Sequence, residues 1–246
     1  MTMIAGDHSA EGIIVVADSR VTWGPEEHGH FQDTLQKIVP LSEGLVLAFA
    51  GDIRAVERII KELRGRIAKK GQLKVARKLA AEVPRIAKHF YNIHKSKNAG
   101  TSSASILVAG REAGGKTGLW VFQSPEFTAQ AIHEGTVIIG SGQAAGPYLP
   151  ASMPPVPQTP TLKQRADALM IGLESALRKA DVPTVGGMFQ ILTISPTDGI
   201  RPMTHGHVDL DPDGAPSGGS MTIEQGKWTQ ANLTTGERTE LVEPAR

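Results

Sequence analysis

Cysteine is absent from the 246 residues of this sequence, and neither charge sign is in clear excess. The first absence excludes disulfide bonds, cysteine nucleophiles and thiolate metal sites. The second follows from 26 basic and 25 acidic residues, which leave a formal net charge of +1. A balanced charge gives no reason to expect nucleic acid or an anionic membrane as a partner.

Long apolar runs are also missing, because no stretch reaches the roughly 18 residues that a membrane span needs. The N-terminal segment MTMIAGDHSAEGIIVVADSR has no basic patch followed by an apolar stretch, which is the pattern of a secretory signal. We therefore expect a cytoplasmic protein without a membrane partner.

Strand patterns and helical patterns follow one another in blocks along the chain. Strands are predicted over residues 3–8, 13–18, 35–40, 45–50, 103–110, 117–123, 127–132, 135–140 and 188–195. Helices are predicted after the N-cap residue Asp52, over residues 72–94 and over residues 161–179, where Thr161 and Gln164 form a capping box.

This block order predicts the fold class and the domain limits. Strict alternation of strands and helices is absent, so we expect an α+β domain with helices packed on antiparallel sheets. The domain is expected over residues 2–205. Residues 206–246 are rich in Gly, Pro and Asp, and they are expected to form a loosely structured C-terminal extension.

Thr2 is a candidate nucleophile. A second residue this small normally allows removal of Met1, and the mature chain would then begin with threonine. Such a residue carries a hydroxyl and a free α-amine on adjacent atoms, and the amine can take the hydroxyl proton directly or through one water. Taken alone the signal is weak, because many chains begin Met-Thr.

The segments around Thr2 make the signal more specific. They are TMIAG at residues 2–6, GIIVVADSR at 12–20, KI at 37–38, FAG at 49–51 and IGSG at 139–142. In sequence and spacing they resemble the β-type subunits of the proteasome and the related HslV-type peptidases. The resemblance covers roughly residues 2–205. Between Asp18 and Lys37 the chain is longer than the family pattern, which implies an insertion in the loop around residues 23–31. This insertion and the extra C-terminal tail place the chain closer to a divergent bacterial proteasome homologue.

The resemblance implies a role for each of five residues. Thr2 would be the nucleophile, and Lys37 would sit beside its hydroxyl, where a positive charge lowers the cost of deprotonation. Asp18 would pair with Lys37 and keep it charged and oriented. The backbone N–H of Gly51 would point at the oxyanion of the tetrahedral intermediate, and Ser141 would hydrogen-bond near the Thr2 amine.

Two parts of the pattern are less complete. Val21, Phe49 and Ile53 align with walls of the pocket for the residue before the cleaved bond, which implies tolerance for apolar side chains. Many family members also carry an aspartate and a serine before a Gly-Gly pair beside the active site. Here Asp181 lies one residue too far upstream and Thr184 stands nearer the pair, so either residue is a candidate for that role.

The resemblance further implies a four-layer αββα sandwich of the N-terminal nucleophile hydrolase type. The activity would be that of a threonine-type peptidase cleaving peptides or unfolded proteins inside a homo-oligomeric, stacked double ring. An ATP-driven AAA+ unfoldase is a candidate partner, and the mechanism needs no cofactor. Two alternatives stay open: an amidase that uses the same nucleophile on a small amide, and an inactive ring scaffold that retains Met1.

One further motif fits a phosphate-binding loop by its letters. Residues 110–117 match G-x-x-x-x-G-K-T, but such a loop must open a helix. Residues 118–122 are strand-like instead, so we predict a β-hairpin turn with Gly114 and Gly115 at its tip.

Metal motifs are incomplete, and no metal site is expected. The acidic run 209–214 starts like a calcium loop, but Ser220 occupies the position that requires a bidentate glutamate. The histidine pairs lack a third ligand at metal-binding spacing, and they are His28 with His30 and His205 with His207.

Overall fold

The structure is a computed structural model of the chain. It describes residues 3–23, 30–32, 35–69, 75–97, 103–182, 184–187, 189–203, 219–224, 227–232 and 238–240.

Two five-stranded antiparallel sheets form the body of the protein. Across the first sheet the strands are β10 (Gly135–Gly140), β1 (Met3–Ser9), β2 (Gly12–Asp18), β11 (Phe189–Ser195) and β12 (Gly199–Pro202). Across the second they are β5 (Ile38–Ser42), β6 (Leu45–Gly51), β7 (Ala104–Arg111), β8 (Thr117–Gln123) and β9 (Gln130–Ile132). A separate hairpin pairs β3 (Val21–Trp23) with β4 (His30–Gln32).

Helices pack on these sheets and agree with the sequence-based prediction of an α+β domain. They are α1 (Ile53–Lys69), α2 (Ala76–Lys97), α3 (Leu149–Ser152) and α4 (Leu162–Ala180). Asp52 caps α1 through its side chain, and the predicted capping box of Thr161 and Gln164 opens α4. A 3-10 helix, Ser141–Tyr148, joins β10 to α3 and was not predicted, because its Gly- and Ala-rich sequence has no helical apolar stripe. None of the described helices is both long and apolar enough to cross a membrane.

Among the residues that the structure describes, buried apolar side chains form three clusters. One lies between the two sheets and includes Ile4, Val15, Ala48 and Leu107. A second joins the other face of the second sheet to α1 and α2. The third joins the first sheet to α4 and the segment before it. The seven residues of β2 are all buried, as its continuous apolar run predicts.

Two local predictions have clear outcomes. Strands β7 and β8 are joined by a turn in which Gly114 and Gly115 both have positive φ, so the prediction of a hairpin in place of a phosphate loop is confirmed. The strand predicted over residues 127–132 begins only at Gln130, because Phe127 adopts a left-handed φ of 52° and places its ring in the core.

The prediction of a loosely structured extension is wrong for part of residues 206–246. A three-stranded antiparallel sheet is present there, formed by β13 (Gly219–Glu224), β14 (Lys227–Asn232) and β15 (Arg238–Glu240). The averaged composition concealed a Gly- and Pro-rich segment followed by strand-forming residues such as Ile223 and Trp228. The candidate calcium loop and the four candidate metal-site histidine side chains lie outside the described residues.

Candidate active site

A buried ion pair lies at the ends of the two sheets. Lys37, just before β5, places its Nζ 2.9 Å from Oδ1 of Asp18, the last residue of β2, and both side chains are 0% exposed. The two residues predicted to act together are therefore in direct contact. Charges buried this completely are tolerated only when paired and hydrogen-bonded.

The Asp18 carboxylate also accepts hydrogen bonds from two backbone N–H groups. Met3 N–H donates to the oxygen that binds Lys37, at 2.8 Å, and Gly186 N–H donates to the other oxygen at 3.4 Å. Burial raises the pKa of the Asp18 carboxyl above its ordinary value, and Lys37 with the two N–H groups opposes that rise. The donors come from β1, from the residue before β5 and from the segment before β11, so this carboxylate connects three parts of the chain.

The Lys37 ammonium also donates to the backbone carbonyl oxygen of Arg20. Arg20 in turn is held by the segment before β11, since its N–H donates to the carbonyl oxygen of Gly186 at 3.2 Å. A Cβ on Gly186 would lie 2.5 Å from Cζ of the Arg20 guanidinium. Glycine at this position therefore allows the buried Arg20 side chain to lie directly against the backbone.

Gln190 fixes the backbone that carries Lys37. Its Oε1 accepts the N–H groups of Lys37 at 2.8 Å and Ile38 at 3.1 Å, and its Nε2 donates to the carbonyl oxygen of Leu35 at 2.6 Å. Gln190 lies in β11 of the first sheet and is 0% exposed. One side chain of the first sheet therefore satisfies three backbone groups of the chain that enters the second sheet.

Gly51 ends β6 with a φ of 98°, a left-handed conformation that favours glycine. A Cβ at this position would clash with the carbonyl oxygen of Ser103. That oxygen accepts the N–H of the next residue, Asp52, at 2.7 Å. The peptide group between Gly51 and Asp52 is thus held by a short hydrogen bond at a point where the two chain segments lie close together.

A cleft of about 400 Å³ opens beside Gly51. It brings Gly51 together with Ser141, the first residue of the 3-10 helix, as the sequence predicted for two site residues. The other lining residues are mostly hydroxyl- and amide-bearing, and they are Ser103, Ser105, Gln123, Ser124, Gly140 and Gln143. This lining can form hydrogen bonds to a polar chain such as a peptide.

The pocket residues predicted from sequence have different placements. Phe49 is 1% exposed in the cluster beneath α1 and α2, and Ile53 packs against the same cluster. Neither belongs to the described lining of the cleft beside Gly51. Val21 begins β3, and its side chain lies outside the described residues, as does Thr2. The roles of Thr2 and these three pocket residues stay predictions.

The two candidates before the Gly-Gly pair also differ. Asp181 is exposed and ends α4 in a left-handed conformation, with its N–H bonded to the carbonyl oxygen of Arg178. Thr184 is buried, two residues before the Gly186 N–H that reaches Asp18. Placement therefore favours Thr184 over Asp181 as the neighbour of the buried pair. Across the described residues, no group of three or more His, Asp or Glu side chains is arranged to hold a metal ion.

Comparison with known proteins identifies the family. The sequence profile of the proteasome subunit family matches residues 2–168, which is more than half of the chain. The chain belongs to the proteasome subunit family. The resemblance stated from the sequence is therefore confirmed.

Solved structures show the same fold. A structure described as the helical assembly of the Anbu complex from Pseudomonas aeruginosa is 20% identical to this chain, with a TM-score of 0.66. The match covers 86% of this chain and 88% of that chain. A search of curated protein sequences finds no match.

Sequence reasoning missed Gln190 and the role of Arg20 in this proteasome-family site. Gln190 is a polar residue between Phe189 and the apolar pair Ile191 and Leu192, and Arg20 lies two residues after the buried strand β2. A polar residue inside an otherwise apolar strand signals a buried hydrogen-bonding role. Its partner 153 residues away could not be identified from that signal.

The ion pair yields the first prediction. Replacing only Lys37 by Met, or only Asp18 by Asn, leaves one buried charge without its partner and should cost about 3–5 kcal/mol of unfolding free energy. The double variant Asp18→Asn/Lys37→Met removes both charges and should recover most of that loss. Urea unfolding at fixed protein concentration measures both effects. Single variants as stable as the unmodified protein would contradict a buried, paired state.

Gln190 yields the second prediction. Gln190→Met strands two N–H groups and one carbonyl, at about 1–3 kcal/mol for each buried group left unsatisfied. Gln36→Met is the matched control, because Gln36 is equally buried but makes one hydrogen bond, to the Ile38 carbonyl, and its Oε1 is unpartnered in the described chain. Urea unfolding should show a much larger loss for Gln190→Met. Equal losses would show that Gln190 does not hold the Lys37 segment.

Proposed function

We propose that the chain is a threonine-type peptidase in which Thr2, exposed by removal of Met1, is the nucleophile. The observation that carries the proposal is the shared acceptor at Asp18. One carboxylate oxygen binds both the Met3 N–H and the Lys37 ammonium. That N–H belongs to the peptide bond joining Thr2 to Met3. The same oxygen, Oδ1 of Asp18, therefore binds both the buried cation and the backbone next to Thr2.

The chemistry follows from this arrangement. Thr2 Oγ attacks the carbonyl carbon of a peptide bond, and its proton passes to the Thr2 α-amine directly or through one water. The Lys37 charge favours the developing alkoxide. The carbonyl electrons move to oxygen, where the Gly51 N–H donates to the oxyanion. The Thr2 ammonium then returns the proton to the leaving nitrogen, the C–N bond breaks, and the neutral amine leaves an ester on Thr2. Water gives a proton to the same α-amine as it attacks the ester, and release of the carboxylic acid restores the Thr2 hydroxyl.

The architecture supports the same reading. Two antiparallel sheets packed face to face, with helices on the outer side of each, fit the four-layer sandwich of N-terminal nucleophile hydrolases. The ion pair and the cleft lie at the same end of the two sheets, since the cleft includes Gly140, the β10 partner of Met3. The hydroxyl-rich lining of the cleft suits the amide groups of an extended peptide substrate.

The third prediction concerns the nucleophile. Intact mass should show loss of Met1, and a peptide epoxyketone should add once, because it reacts with both the hydroxyl and the free amine of an N-terminal threonine. Thr2→Ala should form no adduct and cleave no fluorogenic peptide. Thr2→Ser, which keeps both groups, is the matched control and should react.

Each contrary result has a defined meaning. Undiminished cleavage by Thr2→Ala would reject the mechanism. A retained Met1 without adduct would favour the inactive ring scaffold. A removed Met1 without adduct, with activity on small amides only, would favour the amidase.

We also propose that the protein works as a homo-oligomer, and this gives the fourth prediction. Identical subunits joined head to tail form a closed ring if the rotation closes and an open helix if it does not. The family resemblance implies a stacked double ring that would accept substrate from an AAA+ unfoldase, whereas the Anbu relative is described as a helical assembly. Light scattering should give a mass many times the 26.2 kDa of one chain, and electron microscopy should show closed double rings. A monomer would reject the assembly, and open filaments would reject ring closure.

A further inference from the structure

A second polar contact lies directly behind Gly51. Nε2 of His94, in the last turn of α2, is 2.9 Å from Oδ2 of Asp52. His94 is remote in sequence from Gly51, since it lies 42 residues after Asp52, the residue that follows Gly51. The His94 side chain is 8% exposed and the Asp52 side chain 29%, so the contact is partly shielded from water.

Asp52 is the residue through which this contact acts. Its Oδ1 accepts the N–H groups of Arg54 at 3.0 Å and Ala55 at 3.4 Å, which caps α1. Its own N–H donates to Ser103 at 2.7 Å, in the peptide group shared with Gly51. The remaining carboxylate oxygen is the one that His94 binds, and a nitrogen facing a carboxylate oxygen at this distance must carry the proton and donate it.

We propose that His94 is a positioning residue for the oxyanion donor of the site, acting through Asp52 on the Gly51 N–H. This inference rests on the proposed function. The Gly51 N–H belongs to the preceding peptide, and its direction changes with the φ and ψ angles of Gly51 when Asp52 moves. The Ser103 bond holds only the N–H of Asp52, which leaves Asp52 free to pivot about that bond. A side chain held at both oxygens, by the start of α1 and by the end of α2, removes that freedom.

His94 also has an electrostatic consequence. Asp52 is the residue next to Gly51, and its negative charge would oppose the negative charge that develops on a reacting carbonyl oxygen at the Gly51 N–H. Two N–H groups of α1 and the His94 side chain donate hydrogen bonds to this carboxylate. These donors reduce the negative potential that the carboxylate produces at the cleft. Loss of the His94 donor would therefore weaken transition-state binding more than binding of the uncharged substrate.

The test uses the full-length protein with two substitutions at one position. His94→Leu removes the donor, whereas His94→Gln keeps an N–H donor at about the same reach. His89→Leu is the matched control, because His89 lies on the same helix and is exposed. Its ring makes an edge-to-face contact with Phe90. Each variant is assayed for kcat and KM on a fluorogenic peptide and for inhibition by a peptide aldehyde and by the corresponding alcohol.

The expected result separates positioning from a purely structural role. His94→Leu should lower kcat by about 10- to 100-fold, less than the loss caused by deleting an oxyanion donor outright. KM should change by no more than about twofold, because ground-state contacts remain. Aldehyde affinity should fall while alcohol affinity stays, since only the aldehyde forms an oxyanion-like adduct. His94→Gln should restore kcat, and His89→Leu should behave like the unmodified protein.

Three results would overturn the inference. One is normal kcat in His94→Leu. Another is a loss of kcat that follows a lower melting temperature and is not restored by His94→Gln. The third is an equal loss of aldehyde and alcohol binding. If the unmodified protein forms no epoxyketone adduct, the proposed function fails and the inference falls with it, whereas adduct formation with normal His94→Leu turnover rejects the inference alone.

Discussion

Asp18 and Lys37 form an ion pair that has no contact with solvent. Asp18 ends β2 in the first sheet, and Lys37 directly precedes β5 in the second. Removing a carboxylate and an ammonium from water is costly, and the cost is recovered only when each has its full set of partners. The partners here are backbone groups of Met3, Gly186 and Arg20. The pair can therefore exist only if the strand after Thr2, the entrance to β5 and the segment before β11 are all in place.

That dependence explains why the surrounding features are so constrained. Gln190 holds the backbone on both sides of Lys37, and Gly186 leaves space for the Arg20 side chain against its backbone. In the lining of the cleft, Gly51 adopts a conformation that a side chain would prevent. With Thr2 as the proposed nucleophile, the buried Lys37 ammonium and the Gly51 N–H would stabilise the negative charge that develops during acyl transfer.

Much of this could be predicted from the sequence. Periodicity located α1, α4 and most strands, because their apolar stripes are long and their ends carry recognisable caps such as Asp52 and Thr161. The spacing of the family motifs predicted that Asp18 pairs with Lys37 and that Gly51 and Ser141 belong to one site. The structure has the ion pair, and it has Gly51 and Ser141 in the lining of one cleft.

Other features depended on tertiary contacts that a linear pattern does not contain. The hydrogen bonds of Gln190 and the contact of His94 with Asp52 join residues far apart in the chain, and a linear sequence does not show which distant groups they meet. The small sheet over residues 219–240 was missed because strand-forming residues were averaged with a Gly- and Pro-rich neighbour. The pocket assignment of Phe49 stays a prediction, and the structure adds that Phe49 belongs to the apolar cluster beneath α1 and α2.

The most direct test is a cryo-electron microscopy map of the protein after reaction with a peptide epoxyketone. We predict continuous density from the inhibitor to both Oγ and the α-nitrogen of Thr2, with Lys37 Nζ within hydrogen-bonding distance of the modified oxygen. The first substrate-like carbonyl should lie against the Gly51 N–H. Density attached elsewhere, or an unmodified N-terminus distant from Lys37, would contradict the account.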